Sequence, residues 1–320
     1  MDWITDTSGL VRSAVLIALI SGGFALYCIT HMMVLRWRRI RQQARDADTR
    51  ARWRQHMRAW IMQSANELPS AKPRELGVIL QLWLQLQDTF AGDICTSLRE
   101  FAAHIGLIDY IDLNLRSSNE TERLMAVIAA GHLKSSTRMP TLEAALRTRD
   151  TLLALAAGRS MVQIDAQRAL PAVIAELPKR PEWTANRVKA MLGDADPDLV
   201  AQSLHGALLQ STDAELAAIL PAISCASPER VEPSLLTRLQ SVEDPELLAE
   251  SLGCLSGPRG AQFARSFLDH PVWFVRVRAI ACITPLLVPD DRPRLESLSQ
   301  DSNWWVANRA RAALGRPNPA

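Results

Sequence analysis

His270–Ile283, HPVWFVRVRAIACI, and Asp301–Leu314, DSNWWVANRARAAL, are one pattern written twice, 31 residues apart. Trp273 aligns with Trp304, Val275 with Val306, Arg278 with Arg309 and Ala279 with Ala310. In each copy apolar residues fall at i, i+4, i+7 and i+8: Val275, Ala279, Cys282 and Ile283, then Val306, Ala310, Ala313 and Leu314. That spacing lines one face of an α-helix. Self-similarity at a fixed period marks a chain built from stacked units, none of which buries its apolar face alone. A second echo, DPDLVAQSLHGAL from Asp196 and DPELLAESLGCL from Asp244, has an offset of 48.

The helical reading extends in both directions from there. PRELGVILQLWLQL from Pro73 places Leu76, Ile79, Leu80, Trp83 and Leu84 on one face, with Ser70 as a candidate cap. Similar runs are expected near 93–104, 107–117, 119–133, 140–147, 150–163, 165–177, 183–193, 197–209 and 213–224, and on to the C-terminus. Prolines 140, 171, 178, 181, 197, 228, 245, 258, 271 and 289 are expected to fall between helices. No long stretch alternates with period two, and aromatic residues make up only 5% of a chain whose apolar set is mostly Leu and Ala. The expected fold class is all-α.

Asp269, Pro271, Val275, Arg276 and Ala279 fit the pattern D-x-x-x-x-V-R-x-x-A-x-x-x-L with a proline soon after the Asp. The pattern resembles the first helix of a HEAT repeat, of the armadillo-like α-solenoid family. The resemblance implies an α-solenoid of helical pairs, close helix approach at Ala and Gly, and an Asp-to-Arg ladder between neighbouring repeats. It is good over 240–315, fair over 119–210 and poor over 61–118, and Ala307 stands where a ladder Arg of the last repeat would be. Solenoid repeats speak for a fold far more than for a function.

The N-terminus is of another kind. Ser13–Leu35, SAVLIALISGGFALYCITHMMVL, contains no Asp, Glu, Lys or Arg and reads as a single transmembrane helix. Asp2, Asp6 and Arg12 precede it; Arg36, Arg38, Arg39, Arg41 and Arg45 follow. This asymmetry predicts a single-pass protein of a bacterial inner membrane, with its N-terminus out and its C-terminal domain cytoplasmic. A cleaved signal peptide fits worse, because there is no basic n-region and the apolar run is too long. The expected division is an extracytoplasmic tail over 1–12, the membrane helix over 13–35, a basic juxtamembrane helix over 36–60, a divergent helical cap over 61–118 and HEAT-like repeats over 119–316.

Residues 36–60 carry nine Arg against Asp46 and Asp48, a balance of +7; residues 1–35 stand at −1 and the whole chain at +2, so residues 61–320 total −4. The basicity is local, which argues against a nucleic-acid binder. Arg36, Arg38, Arg39, Arg41 and Arg45 are expected at anionic lipid headgroups, with Trp3, Trp37, Trp53 and Trp60 suited to an interface. Cys28, Cys95, Cys225, Cys254 and Cys282 form no CxxC and read as reduced thiols.

The sequence offers little chemistry. The six His are far apart, and Asp194, Asp196 and Asp198 begin like a calcium loop but meet Leu199 where Gly is needed and His205 where Glu is needed. There is no phosphate-binding glycine loop and no G-x-S-x-G. No catalytic residue, cofactor or metal is expected.

Two clusters remain as candidate partner-binding residues. In the first, Trp273, Phe274, Trp304 and Trp305, one aromatic of each pair is expected in the core and the other outside, near Arg276, Arg278, Arg309 and Arg311; the alternative is that all four pack. The second, Arg259, Arg265, Arg292 and Arg294, lies on the other helices of the same units, where a solenoid resemblance implies a concave face open to an acidic partner segment. The function expected is a membrane-tethered, non-enzymatic scaffold for a cytoplasmic or membrane protein partner, such as an envelope-assembly or polysaccharide-synthesis component. The alternative is an enzyme on the same fold, resembling alkylpurine DNA glycosylases or bilin lyases.

Overall fold

Short polar residues start most of these helices. In the computed structural model Asn119 accepts from the N–H of Thr121 and Glu122, Asp150 from Leu152 and Leu153, Asp196 from Asp198, Asp244 from Glu246, and Asn303 from Trp305. Each caps backbone donors that the first turn leaves without a partner. Proline opens others at positions where its missing N–H costs nothing. The structure describes residues 7–64 and 68–315, apart from the side chains of 7–19 and 25. Those residues form α-helices and short 3₁₀ turns, with no strand among them. The all-α expectation is met.

The chain divides into two compact units between Tyr110 and Ile111. The first holds α1 (Thr7–Ile61), α2 (Pro73–Thr89) and α3 (Asp93–His104). α4 (Leu107–Asn114) lies at the division. The second holds α5 (Glu120–Leu133), α6 (Met139–Leu146), α7 (Thr151–Ile164), α8 (Ala166–Glu176), α9 (Ala185–Leu192), α10 (Pro197–Gln210) and α11 (Asp213–Ile223). It continues through α12 (Pro228–Leu239), α13 (Pro245–Leu252), α14 (Pro258–Arg265), α15 (Trp273–Ile283), α16 (Asp291–Leu298) and α17 (Trp304–Ala313).

Within the second unit the helices pack in two rows. α5, α7, α9, α11, α13, α15 and α17 each touch the next of that set, while α8, α10, α12 and α14 do the same. Small residues set the closest approaches. A Cβ on Gly131 of α5 would lie 2.9 Å from the Ser160 Cα of α7, and Ser160 Oγ donates to the Val127 carbonyl at 2.8 Å. The two rows decide between the two echoes in the sequence. α15 and α17, 31 residues apart, are neighbours in one row, whereas the segments 48 apart are α10 and α13, in different rows. What α10 and α13 share is a way of starting a helix, an Asp cap followed by proline.

In the first unit the far end of α1 packs on α2 and α3. Trp53, Met57, Trp83, Leu98 and Phe101 form its buried centre, and Trp83 Nε1 donates to the Leu98 carbonyl at 2.7 Å. Burial pushes Glu75 up, but hydrogen bonds from the Lys72 N–H, Trp53 and Arg52 outweigh it and hold the carboxyl below its ordinary value. Lys72, not Ser70, occupies the cap position of α2.

Several expectations need correction. No helix among the described residues is long and apolar enough to cross a membrane. α1 runs unbroken from Thr7 into the arginine-rich segment, and the part of its apolar run with described residues, 20–35, spans about 24 Å at 1.5 Å per residue against the roughly 30 Å of a hydrocarbon core. The single-pass inner-membrane location is therefore overturned. The 1–6 stretch with Trp3, and the side chains of Arg12 and of 13–19, lie outside the described residues. Trp53 and Trp60 are not interfacial residues either. Trp53 is buried edge-on against Phe101, and Trp60 Nε1 donates to the Ser97 carbonyl at 3.0 Å. Pro171 falls inside α8 rather than between helices, at the cost of one intrahelical hydrogen bond.

Candidate functional site

The starts of α15 and α17 are held side by side by one arginine. Arg276, in the first turn of α15, donates to Asp301 at 2.9 Å and to the carbonyls of His270 at 2.7 Å and Pro271 at 3.0 Å. Asp301 in turn accepts from the Asn303 N–H at 2.8 Å, and Asn303 caps α17. The link joins neighbouring units as an Asp-to-Arg ladder would. It also puts Trp273 and Phe274, at the start of α15, on the same edge as Trp304 and Trp305, at the start of α17.

Both tryptophans of the second pair face solvent, Trp304 at 56% and Trp305 at 57% exposure, and so does Trp273 at 40%. Phe274 is half-buried. The expectation that one member of each pair packs in the core fails for α17, and the alternative that all four pack fails with it. The burial pattern explains why. Val306, Ala307 and Ala310 already fill the inward face of α17, and Trp304 and Trp305 precede Val306 by two residues and one, which points both away. They rest on each other instead, edge to face at 4.7 Å and 82°, as Trp273 and Phe274 do at 5.6 Å and 82°.

One turn further along, Arg278 follows Phe274 and Arg309 follows Trp305, each at i+4. Both are exposed, and neither makes an ion pair among the described residues. Arg311 faces another way and donates to the Ser299 carbonyl at 3.3 Å. The edge therefore presents an aromatic residue followed by an unpaired guanidinium on two adjacent helices.

The second arginine cluster is occupied within the protein. Arg265 holds Asp291 through two hydrogen bonds, at 2.7 and 2.9 Å, and donates to the Leu286 carbonyl at 2.9 Å. The Arg265 guanidinium beside Asp291 holds that carboxyl below its usual range, although burial opposes it. Arg294 pairs with Asp269 and donates to the Arg265 carbonyl at 3.2 Å. Arg292 reaches Glu296 at 3.4 Å on the surface. Arg259 is exposed. Arg265 and Arg294 thus join helices, and a concave cluster of four free arginines is not what the fold builds.

Arg36, Arg38, Arg39, Arg41 and Arg45 are exposed along α1, with the Arg41 guanidinium 3.5 Å over the Trp37 ring. The membrane span that argued for their contact with lipid headgroups is not supported by α1. Further along, Arg52 is tied to Asp48 at 3.1 Å and Glu75 at 3.4 Å. Among the described residues no three His, Cys, Asp or Glu side chains gather as a metal site would require.

One buried group went unnoticed in the sequence. Glu232 of α12 is buried and accepts from the Gly257 N–H at 3.0 Å at the start of α14. A Cβ on Gly257 or Gly260 would come within 2.5 and 2.4 Å of its carboxylate oxygens. The glycines make room for it. Two glycines three apart after a buried carboxylate one unit earlier are the only trace it leaves in the sequence.

No family model matches this chain, and no curated protein does. Among solved structures it is similar to human deoxyhypusine hydroxylase in complex with glycerol, at 14% identity over 84% of this chain and 96% of that one, with a TM-score of 0.32. So slight a likeness carries no argument about what this chain does.

Proposed function

We propose that this chain is a non-enzymatic scaffold, an α-solenoid of HEAT-like helical pairs that binds a protein partner along the edge formed by the starts of α15 and α17. The observation that carries the reading is the exposure of Trp273, Trp304 and Trp305 on one edge. Large aromatics in water are costly to keep there, and in binding proteins such residues, with arginine, supply most of the interface energy. Behind that edge α15 packs on α13, α14 and α17, and α17 packs on α15 and α16.

The test is crosslinking capture from native extract with the wild-type chain, Trp304→Ala/Trp305→Ala and Trp273→Ala/Phe274→Ala, with circular dichroism to confirm that all three are folded. A partner captured by the wild type should be lost or bound at least about 30-fold more weakly by both variants, as for residues worth 2 kcal/mol or more each. A chain that comes down alone, or a partner retained equally by all three proteins, would remove the scaffold reading.

A further inference from the structure

The outward faces of α15 and α17 repeat as closely as their inward faces do. Phe274, Arg278 and Ala281 correspond to Trp305, Arg309 and Ala312, at i, i+4 and i+7 in each helix. Packing demands the inward repeat, Val275 with Val306 and Ala279 with Ala310, all buried. It demands nothing of the exposed Arg278, Trp305 and Arg309. Two parallel rows of aromatic, guanidinium and small residue therefore lie side by side on adjacent helices of one row.

The charges around these rows are already spoken for. Asp301 is neutralised by Arg276 and Asp269 by Arg294, which leaves Arg278 and Arg309 as the unpaired charges on the edge. On the preceding helix of the row, α13, the positions counted from its first residue that match Phe274 and Arg278 hold Glu246 and Glu250, both exposed. The cationic stripe ends there, and an anionic ligand is confined to two helices.

Spacing narrows the ligand. Packed helices lie about 8 to 10 Å apart, so the backbone positions that carry Arg278 and Arg309 repeat at about that interval, with the Arg278 guanidinium on the side of Gly253 of α13. A polyproline-II segment rises about 3.1 Å per residue with three residues per turn, so its residues i and i+3 share a face about 9 Å apart. A β-strand would put i and i+3 on opposite faces.

We infer that the edge of α15 and α17 binds an acidic, polyproline-II segment of a partner protein, with carboxylates three residues apart reaching Arg278 and Arg309 and the intervening residues lying on Phe274, Trp304 and Trp305. This rests on the scaffold reading above and adds the chemistry of its ligand. The aromatics supply flat apolar contact, the two guanidinia supply register, and Glu246 and Glu250 repel a segment that continues past α15.

The experiment measures fluorescence anisotropy of the full chain with two labelled heptapeptides of one composition, Asp-Pro-Pro-Asp-Pro-Pro-Asp and Asp-Asp-Asp-Pro-Pro-Pro-Pro. The spaced peptide should bind at least tenfold tighter, and added salt should weaken it. Arg278→Ala/Arg309→Ala should abolish the preference with an unchanged melting temperature, and Arg278→Lys/Arg309→Lys should keep part of it. Equal binding of the isomers, no binding of either, or a preference that survives the double alanine variant would overturn the proposal. So would a tighter complex with an oligonucleotide of equal charge, or edge variants whose effect is on self-association, which would make the occupant a second copy. If the tryptophan variants lose a captured partner while the peptides are not distinguished, the ligand chemistry falls and the scaffold reading stands.

Discussion

Arg265 separates a binding arginine from a structural one, and removing it should show which it is. Arg265→Ala takes away two hydrogen bonds to Asp291 and one to the Leu286 carbonyl, and leaves a carboxylate that is only 3% exposed. Breaking a buried pair by removing one partner costs about 3 to 5 kcal/mol, and the partial exposure of Arg265 puts this one near the lower limit, about 3 kcal/mol. For a unit of this size each kcal/mol shifts the melting temperature by about 2 to 4 °C, so a drop of about 6 to 12 °C is expected. Arg265→Lys keeps the charge and loses the fork, and should fall between. The pH dependence has a definite sign. Asp291 is held below its ordinary value in the folded protein, so its contribution is complete above the unfolded carboxyl value of about 3.9 and is lost as pH falls through the lower folded value. Without Arg265 burial loses its main counterweight, the folded value rises, and the loss on acidification should shrink, so that the gap between Arg265→Ala and the wild type narrows as pH falls toward 3. Urea denaturation followed by circular dichroism from pH 3 to 7 reads both effects. An Arg265→Ala protein as stable as the wild type at every pH would refute the structural role.

Gly260→Ala sets helix propensity against space. Propensity favours Ala by about 1 kcal/mol, but the new Cβ would stand 2.8 Å from Leu255 Cβ and 2.4 Å from a carboxylate oxygen of buried Glu232. Overpacking of about 1 to 3 kcal/mol should win, giving a net loss of about 1 kcal/mol in urea denaturation, and a gain would mean that the Glu232 pocket is open. Cys282 is buried beside Glu232, and burial pushes its thiol up to about 11. It should stay unmodified by iodoacetamide at pH 8 in native protein and react fully in urea, as read by peptide mass.

The helices were legible because their signals are local. Caps such as Asp150 and Thr212, and apolar residues at i, i+3 and i+4, act within one or two turns and do not need the rest of the chain. α3 begins and ends where the spacing places it, 93–104. What sequence reasoning could not weigh was the competition between groups far apart in sequence. Arg265 and Arg259 look alike as letters, yet Asp291, 26 residues past Arg265, turns one into a clamp and leaves the other in solvent. The same holds for Trp60 and Trp37. The carbonyl of Ser97 and the Phe101 ring draw Trp60 into the protein, while Trp37 has only Arg41, on its own helix.

The two internal echoes separate for a related reason. A cap motif such as Asp–Pro satisfies the needs of a helix start wherever that helix lies, so it recurs in both rows and its offset of 48 has no meaning in the packing. The 31-residue echo repeats the whole circumference of a helix. Its buried half, Val275 and Ala279 matched by Val306 and Ala310, answers to the neighbouring row, and its outward half, half-buried Phe274 and exposed Arg278 matched by exposed Trp305 and Arg309, has little packing duty. A period that holds on both faces points to units adjacent in space, and its solvent half is where a reason outside the fold has to be sought. On this chain that half is the aromatic and arginine edge, so substitutions there should change what the protein binds while leaving its melting temperature where it was.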